Sequence, residues 1–88
     1  MKFMSELEKL KERLKSLPKD FSYNEAKSLL VKLGFEESNK GKTSGSRVKF
    51  EREDDAVLLH KPHPRKILRP ESVKRLLKTL QDSGDIEE

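Results

Sequence analysis

Ser46-Arg47-Val48-Lys49-Phe50-Glu51-Arg52-Glu53-Asp54-Asp55-Ala56-Val57-Leu58-Leu59-His60 decides the fold of this 88-residue chain. Side chains alternate along an extended segment, so Val48 and Phe50 share one face while Arg47, Lys49 and Glu51 share the other. Glu53-Asp54-Asp55 reads as a polar hairpin connection, and Ala56 to His60 as the returning strand. Val57-Leu58-Leu59 is apolar on both faces, which predicts that part of this strand is covered twice. A helix from the N-terminal region is one candidate for the second cover.

On the N-terminal side, Phe3, Leu7, Leu10, Leu14 and Leu17 recur at spacings of four and three, the apolar stripe of a helix. Ser5 is placed to cap its start and Pro18 to stop it. Ser22-Tyr23-Asn24-Glu25 is a capping-box pattern that opens a second helix, with Tyr23, Ala26, Leu30 and Leu33 as its buried stripe. Gly34 supplies the left-handed residue that ends it. Phe35 to Ser38 then reads as a short strand, and Lys40 to Gly45 as a turn.

On the C-terminal side, two prolines between Lys61 and Arg69 predict an extended loop without regular structure. Val73, Leu76, Leu77 and Leu80 mark a last helix, with Pro70 and Glu71 suited to its first turn. Gly84 ends it, and residues 85 to 88 read as a frayed tail. The order is therefore α-α-β-β-β-α. Short strand connections predict a three-stranded antiparallel sheet with helices on one face, a two-layer α+β sandwich.

Composition narrows the function. Hydrophobic residues make up 32% and charged residues 41%, so one small core in a single domain, residues 1–88, is expected. There is no Cys, which removes disulfides, zinc knuckles and thiol nucleophiles. The start of the chain lacks the apolar run of a signal peptide, and no segment is apolar for long enough to span a bilayer. A cytoplasmic protein with no membrane partner is the expectation. Residues 40–69 carry 9 basic and 4 acidic side chains, a surplus of 5, whereas the whole chain is only +4. Positive charge concentrated in one segment points to a polyanion partner, although a merely solvated face has the same composition.

The order of several short motifs adds to this. Leu33-Gly34-Phe35 ends a helix, and a basic turn holds Lys40-Gly41. Gly45-Ser46-Arg47 then opens a strand with Phe50 three residues on. His63-Pro64-Arg65-Lys66-Ile67-Leu68-Arg69 and Ser72-Val73-Lys74 follow. Together these resemble the HicA family of small toxin endoribonucleases, over residues 22 to 82, with residues 1–17 as a helical extension. The resemblance implies a fold like that of the double-stranded-RNA-binding domain, with one extra N-terminal helix. It also implies messenger RNA as substrate, metal-independent cleavage, and a HicB-like antitoxin that covers the active surface. The family has a catalytic histidine where this chain has Arg47, and often has glycine where it has Arg65 and Glu71.

Metal-free RNA cleavage uses the adjacent 2′-hydroxyl as nucleophile and needs a base, an acid and phosphate stabilisation. Arginine stays protonated at any working pH, so Arg47 suits a phosphate or transition-state charge but not proton abstraction. His63 and His60 are the candidates for base or acid. His63 has the stronger case, lying in the matched loop among Lys61, Arg65 and Lys66. The catalytic pair is thus His63 and Arg47. Lys40, Lys42, Gly45, Ser46, Arg47 and Lys49 form the first half of an expected RNA surface. His60, Lys61, Arg65 and Lys66 form the second.

No metal is expected, since Pro62 keeps the histidines off a common helix and no third ligand is evident. The Gly41–Gly45 turn lacks phosphate-loop spacing, so no nucleotide cofactor is expected either. Aromatic side chains are committed to the core or the helices, which favours backbone and shape recognition over base stacking. Three readings stay open: an endoribonuclease, a non-catalytic RNA-binding module on the same fold, and a protein-interaction domain acting through its first helix.

Overall fold

The computed structural model describes residues 5–38, 47–60 and 66–87. Six elements follow the expected order: α1 (Glu6–Lys15), α2 (Tyr23–Lys32), β1 (Glu36–Ser38), β2 (Arg47–Arg52), β3 (Asp55–His60) and α3 (Pro70–Asp82). Ser5 caps α1, its hydroxyl accepting from the Glu8 amide at 3.2 Å. The capping box of α2 is complete. Ser22 Oγ accepts from the Glu25 amide at 3.1 Å, and the Glu25 carboxylate accepts from the Ser22 amide at 3.0 Å. α3 begins on Pro70, where the missing amide hydrogen costs nothing.

Two helices stop by the same device. Beyond α2, Gly34 (φ +98°) donates to Val31 O at 3.0 Å and Phe35 donates to Leu30 O at 2.9 Å. Beyond α3, Gly84 (φ +88°) donates to Gln81 O at 3.1 Å and Asp85 donates to Leu80 O at 2.9 Å. Both are Schellman pairs, which need a residue comfortable at positive φ. α1 ends less favourably. Leu17 takes the left-handed position at φ +51°, and Pro18 after it has no amide with which to close the second bond. That turn swings Leu17 out of the apolar stripe, and it is 42% exposed. Phe3, at the other end of the stripe, lies outside the described residues.

The sheet is antiparallel in the order β1-β2-β3. Its inner face gives Phe50, Val57 and Leu59 to the core, where they meet Leu29 and Leu30 of α2 and Val73, Leu76 and Leu80 of α3. α2 packs against β1 and α3 against β3, while α1 packs on both of these helices through Leu10 and Leu14. The expected second cover on β3 is absent among the described residues: Leu58 is 52% exposed. α1 finds its apolar partners on the helical layer, so among the described residues one face of the sheet stays open.

Three further contacts differ from the sequence reading. Phe21, Leu29 and Leu68 are buried core residues that the stripe pattern did not single out. The proline-bearing segment is not wholly irregular. Ile67 bridges Ser22, with Tyr23 donating to Lys66 O at 2.8 Å and Leu68 donating to Phe21 O at 2.9 Å. The C-terminal end is not frayed through residue 86, because Ile86 is 3% exposed and its amide bonds Leu80 O. Glycine at 84 turns the chain back onto the core instead of releasing it.

Candidate nucleic-acid interface

The open face is laid out by the β2–β3 hairpin. Arg52 pairs with Asp55, so the connection is the two residues Glu53-Asp54, with Glu53 at φ +42°. Working along the register, Glu51 lies across from Ala56, Lys49 from Leu58 and Arg47 from His60. Residues directly opposed in an antiparallel pair share a face. Positions 47, 49, 58 and 60 therefore share one face of the sheet, on which Leu58 and His60 are exposed. A three-residue connection would have set His60 against Val48 and turned it towards the core.

Charge on this face is graded along the strands. Near the hairpin turn, Glu51 of β2 stands beside Glu36 of β1. Further along, Lys49 lies across from Ser38 and reaches Glu51 Oε2 at 3.8 Å, a loose and half-exposed pair. At the far end the register position opposite Arg47 is His60, with no carboxylate. Lys49, His60 and register position 47 thus lie at the end of the strands where the described register holds no acidic residue. His60 is exposed, and the chain leaves β3 there towards the remaining basic residues.

The other expected site residues divide in two. Lys66 is exposed, but its backbone is pinned to the start of α2, away from the sheet register. Lys40, Lys42, Gly45, Ser46, Lys61, His63 and Arg65 lie outside the described residues. Among the described residues, no three His, Asp or Glu side chains gather as a metal-ligand set. No described helix is long and apolar enough to cross a membrane. The closeness of His60 to Arg47 was missed in the sequence because it depends on the length of one turn.

The opposite end of the same hairpin is built differently. Arg52 has the parity of Val48 and Phe50, so it points to the inner side, where α2 and α3 both end. Its Nη1 donates to Leu33 O and to Asp85 Oδ1, each at 2.9 Å, and its Nη2 to Asp55 at 2.6 Å and Asp85 Oδ2 at 2.7 Å. The guanidinium lies 4.3 Å from the Phe35 ring centroid. Hydrogen bonding from Arg52 holds the Asp85 carboxyl below its ordinary range against the opposing effect of burial. Those carboxylates in turn raise Arg52.

A second knot fixes α1. Arg13 is bidentate to the Glu25 carboxylate and also reaches Asp20 at 3.0 Å, stacking over Phe21. Burial opposes ionisation of Glu25, and hydrogen bonds from Arg13 and the Ser22 backbone overcome it, leaving the carboxyl below its ordinary value. Arg13 and Arg52 are therefore committed to architecture.

A family model, the HicA toxin of bacterial toxin–antitoxin systems, matches residues 23–81, from the start of α2 almost to the end of α3. No curated protein and no solved structure gives a significant match. α1, Arg13 and Asp85 lie outside the matched span, while the whole sheet and its open face lie inside it. The match covers well over half of the chain, and the chain belongs to the HicA toxin family, the toxin component of a toxin–antitoxin system that implies an antitoxin as partner.

Proposed function

We propose that the open face of the sheet binds RNA through its phosphates, and that the protein is a metal-independent endoribonuclease acting on messenger RNA. The observation that carries this reading is the register that sets position 47 opposite His60 and on the same face as Lys49, where no described element covers His60. Arginine and lysine neutralise and orient a phosphodiester, and histidine exchanges protons near neutrality. Lys49, held only by a loose 3.8 Å pair with Glu51, is available to a polyanion in a way that Arg13 and Arg52 are not. Lys40, Lys42, Gly45, Ser46, Lys61 and Arg65 extend the same basic surface by sequence, and Lys66 adds an exposed cation beside the start of α2. His63 or His60 supplies proton transfer. The antitoxin of the pair covers this face, and the protein acts in the cytoplasm. Residues 22–82 are the catalytic core, and residues 1–17 an extension that braces it.

The second reading, RNA binding without cleavage, is favoured by Arg47, which cannot act as a base where the family resemblance leads one to expect histidine. Incubating the full chain with end-labelled RNA in EDTA separates the two. Cleavage that survives chelation supports the ribonuclease. Intact but bound RNA supports the binding module, and an RNA that is neither bound nor cut removes both.

A further inference from the structure

We propose that the outer face of α3 is a second phosphate-binding surface, a basic ridge of Lys74, Arg75 and Lys78 that holds an RNA backbone; this rests on reading the protein as RNA-binding. The ridge follows from the helix period. Val73, Leu76 and Leu80 are buried against the core. At 3.6 residues per turn, Lys74, Arg75 and Lys78 fall within about 100° of arc on the opposite side. All three are exposed, as is Arg69 just before the helix. Residues 66–78 hold five cations, Lys66 and Arg69 among them, against the single carboxylate of Glu71. Because α3 lies in the helical layer, the ridge is separate from the open face of the sheet.

What distinguishes this ridge from an ordinary solvated helix face is that its charges are left unmatched. Glu71 stands three residues before Lys74 and four before Arg75, and Asp82 stands four after Lys78. These are spacings at which helices form ion pairs. None forms here. The side chains of Lys66, Arg69, Lys74, Arg75 and Lys78 make no ion pair or hydrogen bond to any described residue. By contrast Lys15 reaches Glu12, Lys27 reaches Glu37, and Arg13 and Arg52 each hold two carboxylates. Lys9, Lys19 and Lys32 are unmatched as well, but they are scattered over α1, the α1–α2 connection and the end of α2.

The chemistry of the ridge selects a nucleic-acid backbone over a protein surface. Protein interfaces keep an apolar or aromatic centre and are depleted of lysine. The large hydrophobic side chains exposed among the described residues are Leu17, Val31 and Leu58, none of them on α3. A phosphodiester needs no apolar centre: lysine neutralises it as a point charge, and arginine donates in a fork to two oxygens. Lys74 and Lys78 lie about 6 Å apart along the helix axis with Arg75 beside them, so the row can follow successive phosphates of one strand.

The test measures binding of the full-length protein to a fluorescent single-stranded RNA, and to its duplex, over a range of salt. Wild type is compared with the triple variant Lys74→Gln, Arg75→Gln, Lys78→Gln. A charge-matched triple, Lys9→Gln, Lys19→Gln, Lys32→Gln, controls for net charge. Each lost phosphate contact lowers the slope of log affinity against log salt by about 0.7 on a single strand and about 0.9 on a duplex. The ridge variant should therefore lose about 2 units of slope or more, a difference that grows about 100-fold across one decade of salt. The matched variant should lose much less. Urea midpoints should stay at the wild-type value, because glutamine is a good helix former and all three ridge positions are exposed. If the wild type binds RNA and the ridge variant loses no more slope than the matched one, the assignment is overturned while the RNA reading stands. If only binding to polyglutamate falls, the ridge is a surface for an acidic protein, and the assignment is again overturned. If the wild type binds neither RNA, both readings are overturned.

Discussion

The two ends of the β2–β3 hairpin carry the same kind of residue to opposite purposes. Arg52, at the closed end, points inward and is bonded by two carboxylates, a helix-terminal carbonyl and an aromatic face. Arg47, at the open end, has the other parity and stands opposite a histidine. They are five positions apart along the strand, an odd number, which gives them opposite parity. An arginine saturated by protein partners is a clamp, and Arg52 is one. Along this strand, parity separates the core-side clamp from the opposite face of the sheet.

The comparison can be broken most forcefully at the C-terminal end. Ending the chain after Gly84 removes both the Asp85 partner of Arg52 and the buried Ile86. We expect a loss of about 3–5 kcal/mol, combining an exposed apolar gap with a stranded guanidinium. Urea unfolding should show it directly; an unchanged midpoint would mean that the tail is an ornament and the closed end no clamp.

Arg52→Ala and Arg47→Ala sharpen the contrast next. The first should cost about 2–3 kcal/mol, because Asp85 keeps a partly buried charge without its partner. On the proposed RNA-binding reading the second should change stability by no more than about 0.5 kcal/mol, yet weaken RNA binding and lower its salt slope by about 1. Thermal melts and binding titrations at several salt concentrations read both quantities. Equal stability losses would erase the division between the two ends.

Acid gives a gentler test. Asp85 and Glu25 have folded-state values below their ordinary ones, so their contribution is fully present above the unfolded carboxylate range, about pH 4. It is lost as pH falls through the lower folded-state values. Stability measured against pH should therefore be flat near neutrality and fall below about 4, and Arg52→Ala should flatten that fall. The smallest effect concerns α1. Leu17→Asn relieves a left-handed leucine that packs little, and should stabilise by about 0.5–1 kcal/mol, raising the melting temperature a few degrees.

Much of the fold can be read without coordinates because its signals are local. Ser22 and Glu25 close a capping box within one turn, Gly34 and Gly84 are the residues that a left-handed helix end favours, and Val48 and Phe50 show the period of a half-buried strand. Where the sequence reading failed, local pattern had no means of reporting the outcome. Leu58 reads as buried because it sits among apolar neighbours, yet α1 had a better surface in α2 and α3. Ile86 reads as tail because nothing near it in sequence explains its burial.

The candidate site shows the same boundary. That Arg47 and Lys49 share a face, and that His60 closes β3, follows from alternation along the chain. That His60 stands across from Arg47 required knowing that two residues, not three, make the hairpin turn, since a shift of one would reverse every face of β3. The Arg52–Asp85 pair spans 33 residues, and the Ser22–Ile67 bridge joins segments separated by the whole sheet. Local backbone preference, capping and periodicity act over a few residues and were settled by the sequence itself. Register, the choice of which layer covers which face, and the pairing of distant charges depend on how the elements meet, and only the tertiary structure decided them.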